Sequence, residues 1–254
     1  MMTNSASQST EPLATPSAPA GVARRDFLRY TGAGAALAGL FLAGCDDDTD
    51  EVGDAALLDV GTGDTGILNY AYALEQLEAA FYAQIKNGSY YKGLAASSAE
   101  KQILDDLSLH EQAHADFFKA ALAGNAIKAL EPDFSKINFD DRGSVLTNAQ
   151  AFEDLGVAAY NGAGRFIQSA TNLTLAGKIV SVEARHAALI RDLRQYNSFV
   201  ASDVVDVFTP TSATSAPGVG AGTGKERSKR PQEVLATANQ FLKAGSRLSA
   251  TNFS

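Results

Sequence analysis

The chain has 254 residues, a formal net charge of −8 and a single cysteine. One cysteine excludes an internal disulfide and a thiolate metal cluster. The acidic balance argues against nucleic acid as a partner.

The first 44 residues do not read as part of the fold. Arg24 and Arg25 are followed by Phe27 and Leu28 and then by an uncharged apolar run from Tyr30 to Gly44. That run is too short to cross a bilayer comfortably, and basic residues ahead of such a run are the layout of a cleaved export signal. The closing string LAGC resembles the lipobox of bacterial lipoproteins. The resemblance implies that Cys45 is acylated and begins the mature chain, so that the lipid membrane is a partner. It also implies an exported, membrane-anchored location, periplasmic or on the outer-membrane or cell-surface side. The arginine pair is similar to twin-arginine signals, a route that carries folded cargo, often with its cofactor already in place. Removing Arg24, Arg25 and Arg29 together with Glu11 and Asp26 takes the formal charge from −8 to −9. What remains is the size of one domain, preceded by an acidic tether over residues 45–64.

Four long segments then carry helical periodicity. From about Thr65 to Lys86, Tyr70, Leu74, Leu77, Phe81 and Ile85 recur at three- and four-residue spacings. The second segment opens with SSAE, where Ser97 and Glu100 fit a capping box, and runs to about Gly124. The third opens with TNAQ at Thr147–Gln150 and continues to about Ser169, and the fourth runs from about Leu173 to Val200. No period-two alternation predicts a sheet. Short breaks join the first helix to the second and the third to the fourth, whereas Asn125 to Leu146 is too long for a tight turn. Two helix hairpins with one long crossover, over residues 65–201, make an all-α four-helix bundle. A Gly/Pro/Ser/Thr-rich loop follows over 202–232. A short amphipathic segment over 233–254 then offers Val234, Leu235, Phe241 and Leu242 either to the bundle or to another subunit.

Polar residues interrupt the apolar seams in a repeated pattern. Leu104, Leu107, Glu111, His114 and Phe118 share one stripe of the second helix, and Ile179, Glu183, His186, Ile190 and Leu193 share one stripe of the fourth. Burying a carboxylate and an imidazole without partners costs several kcal/mol, and a divalent metal between facing helices offsets that cost. The first and third helices each carry a Glu with a Tyr seven residues later on the same face: Glu75 with Tyr82, and Glu153 with Tyr160. A Glu-x6-Tyr helix followed by a Glu-x-x-His helix thus occurs twice. Four carboxylates and two imidazoles suit two ions that share bridging carboxylates, and this oxygen-rich set favours two iron or manganese ions.

With these motifs in place, residues 65–200 resemble the ferritin-like superfamily. Its dimetal site takes one Glu from each of two helices and Glu-x-x-His from the other two. The resemblance implies that Glu75, Glu111, His114, Glu153, Glu183 and His186 are the metal ligands, and that Tyr82 is the tyrosine that neighbours such sites and takes part in their chemistry. FEDLGVAAYNGAG and VEARHAALIRDL look most like the exported bacterial branch that includes desiccation-related proteins. Other residues stay open at this level. Glu78 competes with Glu75 as a ligand. His110 points about 100° away from Glu111 on an ideal helix, which leaves it on the surface or behind a ligand. Tyr160 is either core or a donor to a ligand carboxylate. Asp154 reads as solvated, Arg185 and Arg191 as partners of surface acids, and Gly156, Gly162 and Gly164 as points of close helix approach. Two functions follow. One is a dimetal oxidoreductase of the ferroxidase or peroxide-consuming type, handling oxygen, peroxide or Fe(II) under stress. The other is a non-catalytic, metal-stabilised stress lipoprotein. The tether and anchor fit a small homo-oligomer better than a closed mineral-storing cage.

Overall fold

The computed structural model describes residues 56–206 and 224–254. The expected export signal, Cys45 and most of the tether lie outside the described residues.

Four long helices form the bundle: α1 (Gly63–Ile85), α3 (Ala99–Leu122), α4 (Arg142–Ala163) and α5 (Ala170–Arg194), with a short α2 (Ser89–Gly93) inside the first hairpin. Packing is closest within the hairpins α1/α3 and α4/α5, and α1 meets α4 while α3 meets α5 across the bundle. The predicted apolar stripe of α1 is the core stripe, since Tyr70, Leu74, Leu77, Phe81 and Ile85 are all buried. The crossover after α3 is pinned at one end of the bundle by aromatic contacts. Phe134 and Phe139 pack on Phe81 with ring centroids 5.9 and 5.8 Å apart, and Phe81 meets Phe152 at 4.8 Å.

Helix starts differ from the sequence expectation in register. Ser98, not Ser97, caps α3 by accepting from the Lys101 N–H at 3.3 Å. Glu100 is instead drawn to Arg142, with contacts of 2.8 and 2.7 Å, and to the Tyr90 hydroxyl. α4 begins five residues before Thr147, because the Asp141 carboxylate accepts from the Ser144 N–H at 2.7 Å. A charged acceptor at a helix N-terminus satisfies a free N–H and interacts favourably with the positive end of the dipole, so TNAQ lies within the helix. α5 is capped by Ser169 and ends at Arg194, where Asn197 takes a left-handed φ of 67° and the Ser198 hydroxyl returns to the Arg191 carbonyl.

The tail closes on this bundle rather than standing free. α6 (Pro231–Ala238) buries Val234 and Leu235, Leu242 is buried after it, and Phe241 packs on Phe152 at 4.8 Å. Leu248–Ser249 (β2) then pairs in parallel with Leu58–Asp59 (β1). Sequence patterning predicts no strand, because a two-residue pair is too short to show alternation. This pairing folds the last part of the expected tether onto the tail, with Val60 buried beside it.

Ahead of α6, residues 224–230 cross α4, and the Lys229 N–H donates to the Ala158 carbonyl at 3.0 Å. Gly162 permits this crossing, since a Cβ there would come within 1.7 Å of the Lys229 carbonyl oxygen. The close approach expected at Gly162 is therefore to a strap and not to a helix. At Gly164 a Cβ would make only an ordinary contact, 3.8 Å from Leu173. Arg191 also departs from expectation. It is buried and makes paired contacts to Asp154 (2.8 and 2.7 Å) and Asp203 (3.1 and 2.7 Å), so Asp154 is an ion-pair partner rather than a solvated acid. Arg185 donates to the Ser181 carbonyl.

Gly162→Ala should destabilise the protein by about 1–3 kcal/mol through strap displacement, even though alanine gains helix propensity. Gly164→Ala should not. Denaturant melts of the two variants against the parent chain check this.

Candidate metal centre

The two helix hairpins bring six polar side chains into the middle of an apolar core. Glu75, Glu111, Glu153 and Glu183 are fully buried, His186 is 4% exposed, and the His114 side chain is 15% exposed. Their donor atoms form two sets. The first is Glu75, Glu111, His114 and Glu183; the second is Glu111, Glu153, Glu183 and His186. Glu111 and Glu183 belong to both.

Atom by atom, the sharing is regular. His114 Nδ1 lies 2.7 Å from Glu183 Oε1, 3.4 Å from Glu75 Oε2 and 3.5 Å from Glu111 Oε2. His186 Nδ1 lies 2.7 Å from Glu111 Oε1 and 3.6 Å from both Glu153 Oε2 and Glu183 Oε2. Each shared carboxylate gives one oxygen to each set. The other oxygens of Glu75 and Glu153 are taken by tyrosines in crossed fashion: Tyr160 of α4 donates to Glu75, and Tyr82 of α1 donates to Glu153 at 2.5 Å. The tyrosine that shares a face with each Glu in sequence therefore serves the Glu of the opposite hairpin.

The other six carboxylate oxygens and the two Nδ1 atoms, eight in all, have no hydrogen-bond partner, although they lie close together. Buried polar atoms without partners are rare and costly. Here they gather into two sets, the atoms of each lying within 4.8 Å of one another. Donor atoms about 2.0–2.2 Å from a shared ion lie roughly 3 to 4 Å apart, which matches most of the separations. The residues thus fit metal binding in two donor sets that share Glu111 and Glu183, with Glu75 and His114 completing one set and Glu153 and His186 the other.

The electrostatics agree. Burial, with Glu111 and Glu183 nearby, pushes the Glu75 carboxyl well above the usual range, and burial pushes Glu153 up to about 8. Burial opposes charge on the imidazoles, but the surrounding carboxylates outweigh it and raise both His114 and His186 to about 12. Glu111 resists the upward push of its own burial and falls to about 2, because both imidazoles face it. Without a cation, the cluster holds itself together with protons.

Two neighbours complete the site. Glu78 is buried and its carboxyl is also pushed up by desolvation and by the four ligand carboxylates, but it belongs to neither donor set. Its Oε1 lies 3.0 Å from where a Gly156 Cβ would stand, so Gly156 makes room for a side chain rather than for a helix. His110, exposed on α3, places Nδ1 2.9 Å from Nε2 of His186. A ligand imidazole is normally oriented by a partner on its other nitrogen, and His110 supplies it. The signal was its position four residues before His114, which turns it toward α5.

His110→Ala should weaken metal affinity roughly 10–100-fold while leaving the fold intact, as measured by competition with a chelator. The pH dependence of the metal-free protein follows from the raised values. Glu153 and both imidazoles bind protons more tightly folded than unfolded, so their contribution is present at low pH and is lost as pH rises. The melting temperature of the metal-free protein should therefore fall between about pH 5 and pH 8, and metal should remove much of that fall while releasing protons. Thermal melts across that range, with and without metal, test this.

A family model described as a ferritin-like domain matches residues 63–196, more than half of the chain. No curated protein matches it. With its two hairpins, single crossover and repeated Glu and Glu-x-x-His set, the chain belongs to the ferritin-like domain family.

Proposed function

We propose that the protein is a dimetal oxidoreductase that uses an iron or manganese pair to consume dioxygen or peroxide. The observation that carries this reading is the group of eight unpartnered donor atoms divided between two sets, with both oxygens of Glu111 and Glu183 shared. Oxygen-rich ligation with one imidazole per ion suits iron or manganese over copper(I) or structural zinc. Two such ions, when bound, supply two electrons to one O–O bond, taking dioxygen with two protons to hydrogen peroxide, or peroxide with two protons to water.

The chain's own residues set the conditions for that chemistry. Glu111 and Glu183 hold the two sites at a fixed separation. Tyr82 and Tyr160 fix the orientation of Glu153 and Glu75, leaving one oxygen of each free for a metal. The apolar residues around the cluster keep bulk water out, which strengthens every charge interaction inside. His110 is exposed and the His114 side chain is part-exposed, so the α3–α5 face gives polar molecules an approach. A purely structural metal site is closed to such access, and this favours turnover over a scaffolding role.

The place of action is part of the same proposal. Arg24 and Arg25, the apolar run and Cys45 support export and attachment to a membrane through an acylated cysteine. Among the described residues no helix is long and apolar enough to cross a membrane. A stress-related role fits an anchored oxidant consumer.

Metal analysis of the loaded protein should give two ions per chain. Glu111→Ala should lose both ions because it serves both sets, whereas Glu75→Ala should lose one. Supplied with Fe(II) as the electron donor, the loaded parent chain should consume dioxygen or peroxide over many turnovers. Full metal content without turnover would favour the structural reading, and full metal content in Glu111→Ala would remove the site assignment.

A further inference from the structure

An apolar pocket, open to solvent on the side of the exposed Phe117, lies between the N-terminal half of α1, the C-terminal ends of α3 and α4, and the N-terminal half of α5. Its volume is about 40 Å³, and its walls include Leu74, Phe117, Phe118, Tyr160, Ala163 and Ala176. Small side chains at Ala163 and Ala176 leave the space that larger ones would fill. One wall residue reaches the centre directly: the Tyr160 ring lines the cavity while its hydroxyl donates to Glu75. The cavity thus ends one side chain from a ligand.

Its chemistry selects what enters. Polar groups in the wall are committed elsewhere, the Tyr160 hydroxyl to Glu75 and the Asn172 amide to Asp64. The buried Tyr70 hydroxyl is the one wall hydroxyl that lacks a partner. A trapped water needs about two to four polar partners, and apolar cavities with fewer stay dry and take up apolar guests such as xenon. Peroxide, which must keep several hydrogen bonds, is penalised there. The space is also too small for a drug-sized organic molecule, whose pockets run from about 300 Å³ upward.

We propose that this cavity holds dioxygen beside the Glu75–Tyr160 side of the centre, while peroxide and metal ions use the polar α3–α5 face near His110 and His114. The proposal rests on the dimetal reading and adds to it which oxidant takes which route.

The test uses the full chain and two variants outside the metal centre, Ala176→Phe to fill the cavity and Phe117→Ala to widen it. Crystals of the metal-free protein under xenon pressure should show xenon against Leu74, Phe118 and Tyr160 in the parent chain and in Phe117→Ala, but not in Ala176→Phe. After loading with iron(II), Ala176→Phe should be oxidised several-fold more slowly by dissolved dioxygen and at the parent rate by hydrogen peroxide. Phe117→Ala should react with dioxygen at least as fast as the parent, which keeps the proposal testable if the filled variant folds poorly. Absence of xenon from the parent cavity overturns the proposal even where iron loads normally. Equal slowing with both oxidants also overturns it. Failure to take up iron sinks the dimetal reading, and the oxidant route with it, even where xenon binds.

Discussion

The structure turns on one electrostatic constraint, the burial of four ligand carboxylates whose ion-pair partners, among the described residues, are the imidazoles of His114 and His186. Each charge removed from water costs several kcal/mol even after relaxation, and a domain of this kind has only about 5–15 kcal/mol of net stability to lose. Four uncompensated carboxylates would exceed that margin. Protons relieve the strain in part, through the raised Glu75 and Glu153 carboxyls and the raised imidazoles. Metal ions held by these residues would relieve it more fully, because they would also satisfy the eight donor atoms that no hydrogen bond reaches.

The rest of the bundle serves that centre. Pairing α1 with α3 and α4 with α5 repeats one hairpin design twice, and the crossed Tyr82–Glu153 and Tyr160–Glu75 bonds tie the two repeats together at the ligands. Departures from the repeat also carry meaning. Glu78 on α1 corresponds to Gly156 on α4, and the glycine accommodates the carboxyl that its own hairpin lacks. The strap over Gly162 and the β1–β2 pair fasten the tail across the bundle, and the buried Arg191 with Asp154 and Asp203 fastens the chain beyond α5. These contacts hold the ends of the helices whose middle turns carry the ligands.

Much of this was legible in the sequence, because helical spacing is a local property. Three- and four-residue periodicity places Glu111 with His114 and Glu183 with His186 on buried stripes, and the all-α bundle with one crossover follows from segment and loop lengths. What depends on contacts distant in sequence was not legible. The shift of the α4 start to Arg142 comes from Asp141 winning the cap over Thr147, and both fit a cap by type. The crossed tyrosine bonds require the register between α1 and α4. His110 looked peripheral because ideal helix geometry turns it from Glu111, yet the facing α5 brings His186 to it. The β1–β2 pair joins segments far apart in sequence and leaves no alternation to read.

The most direct test of two bridged ions is anomalous diffraction from crystals of the iron-loaded protein, measured at the iron absorption edge. The account predicts two peaks about 3.5–4 Å apart, each within bonding distance of one oxygen of Glu111 and one of Glu183, with His114 beside one and His186 beside the other. A single peak, or iron bound only at surface carboxylates while the six buried residues keep their metal-free contacts, would contradict it.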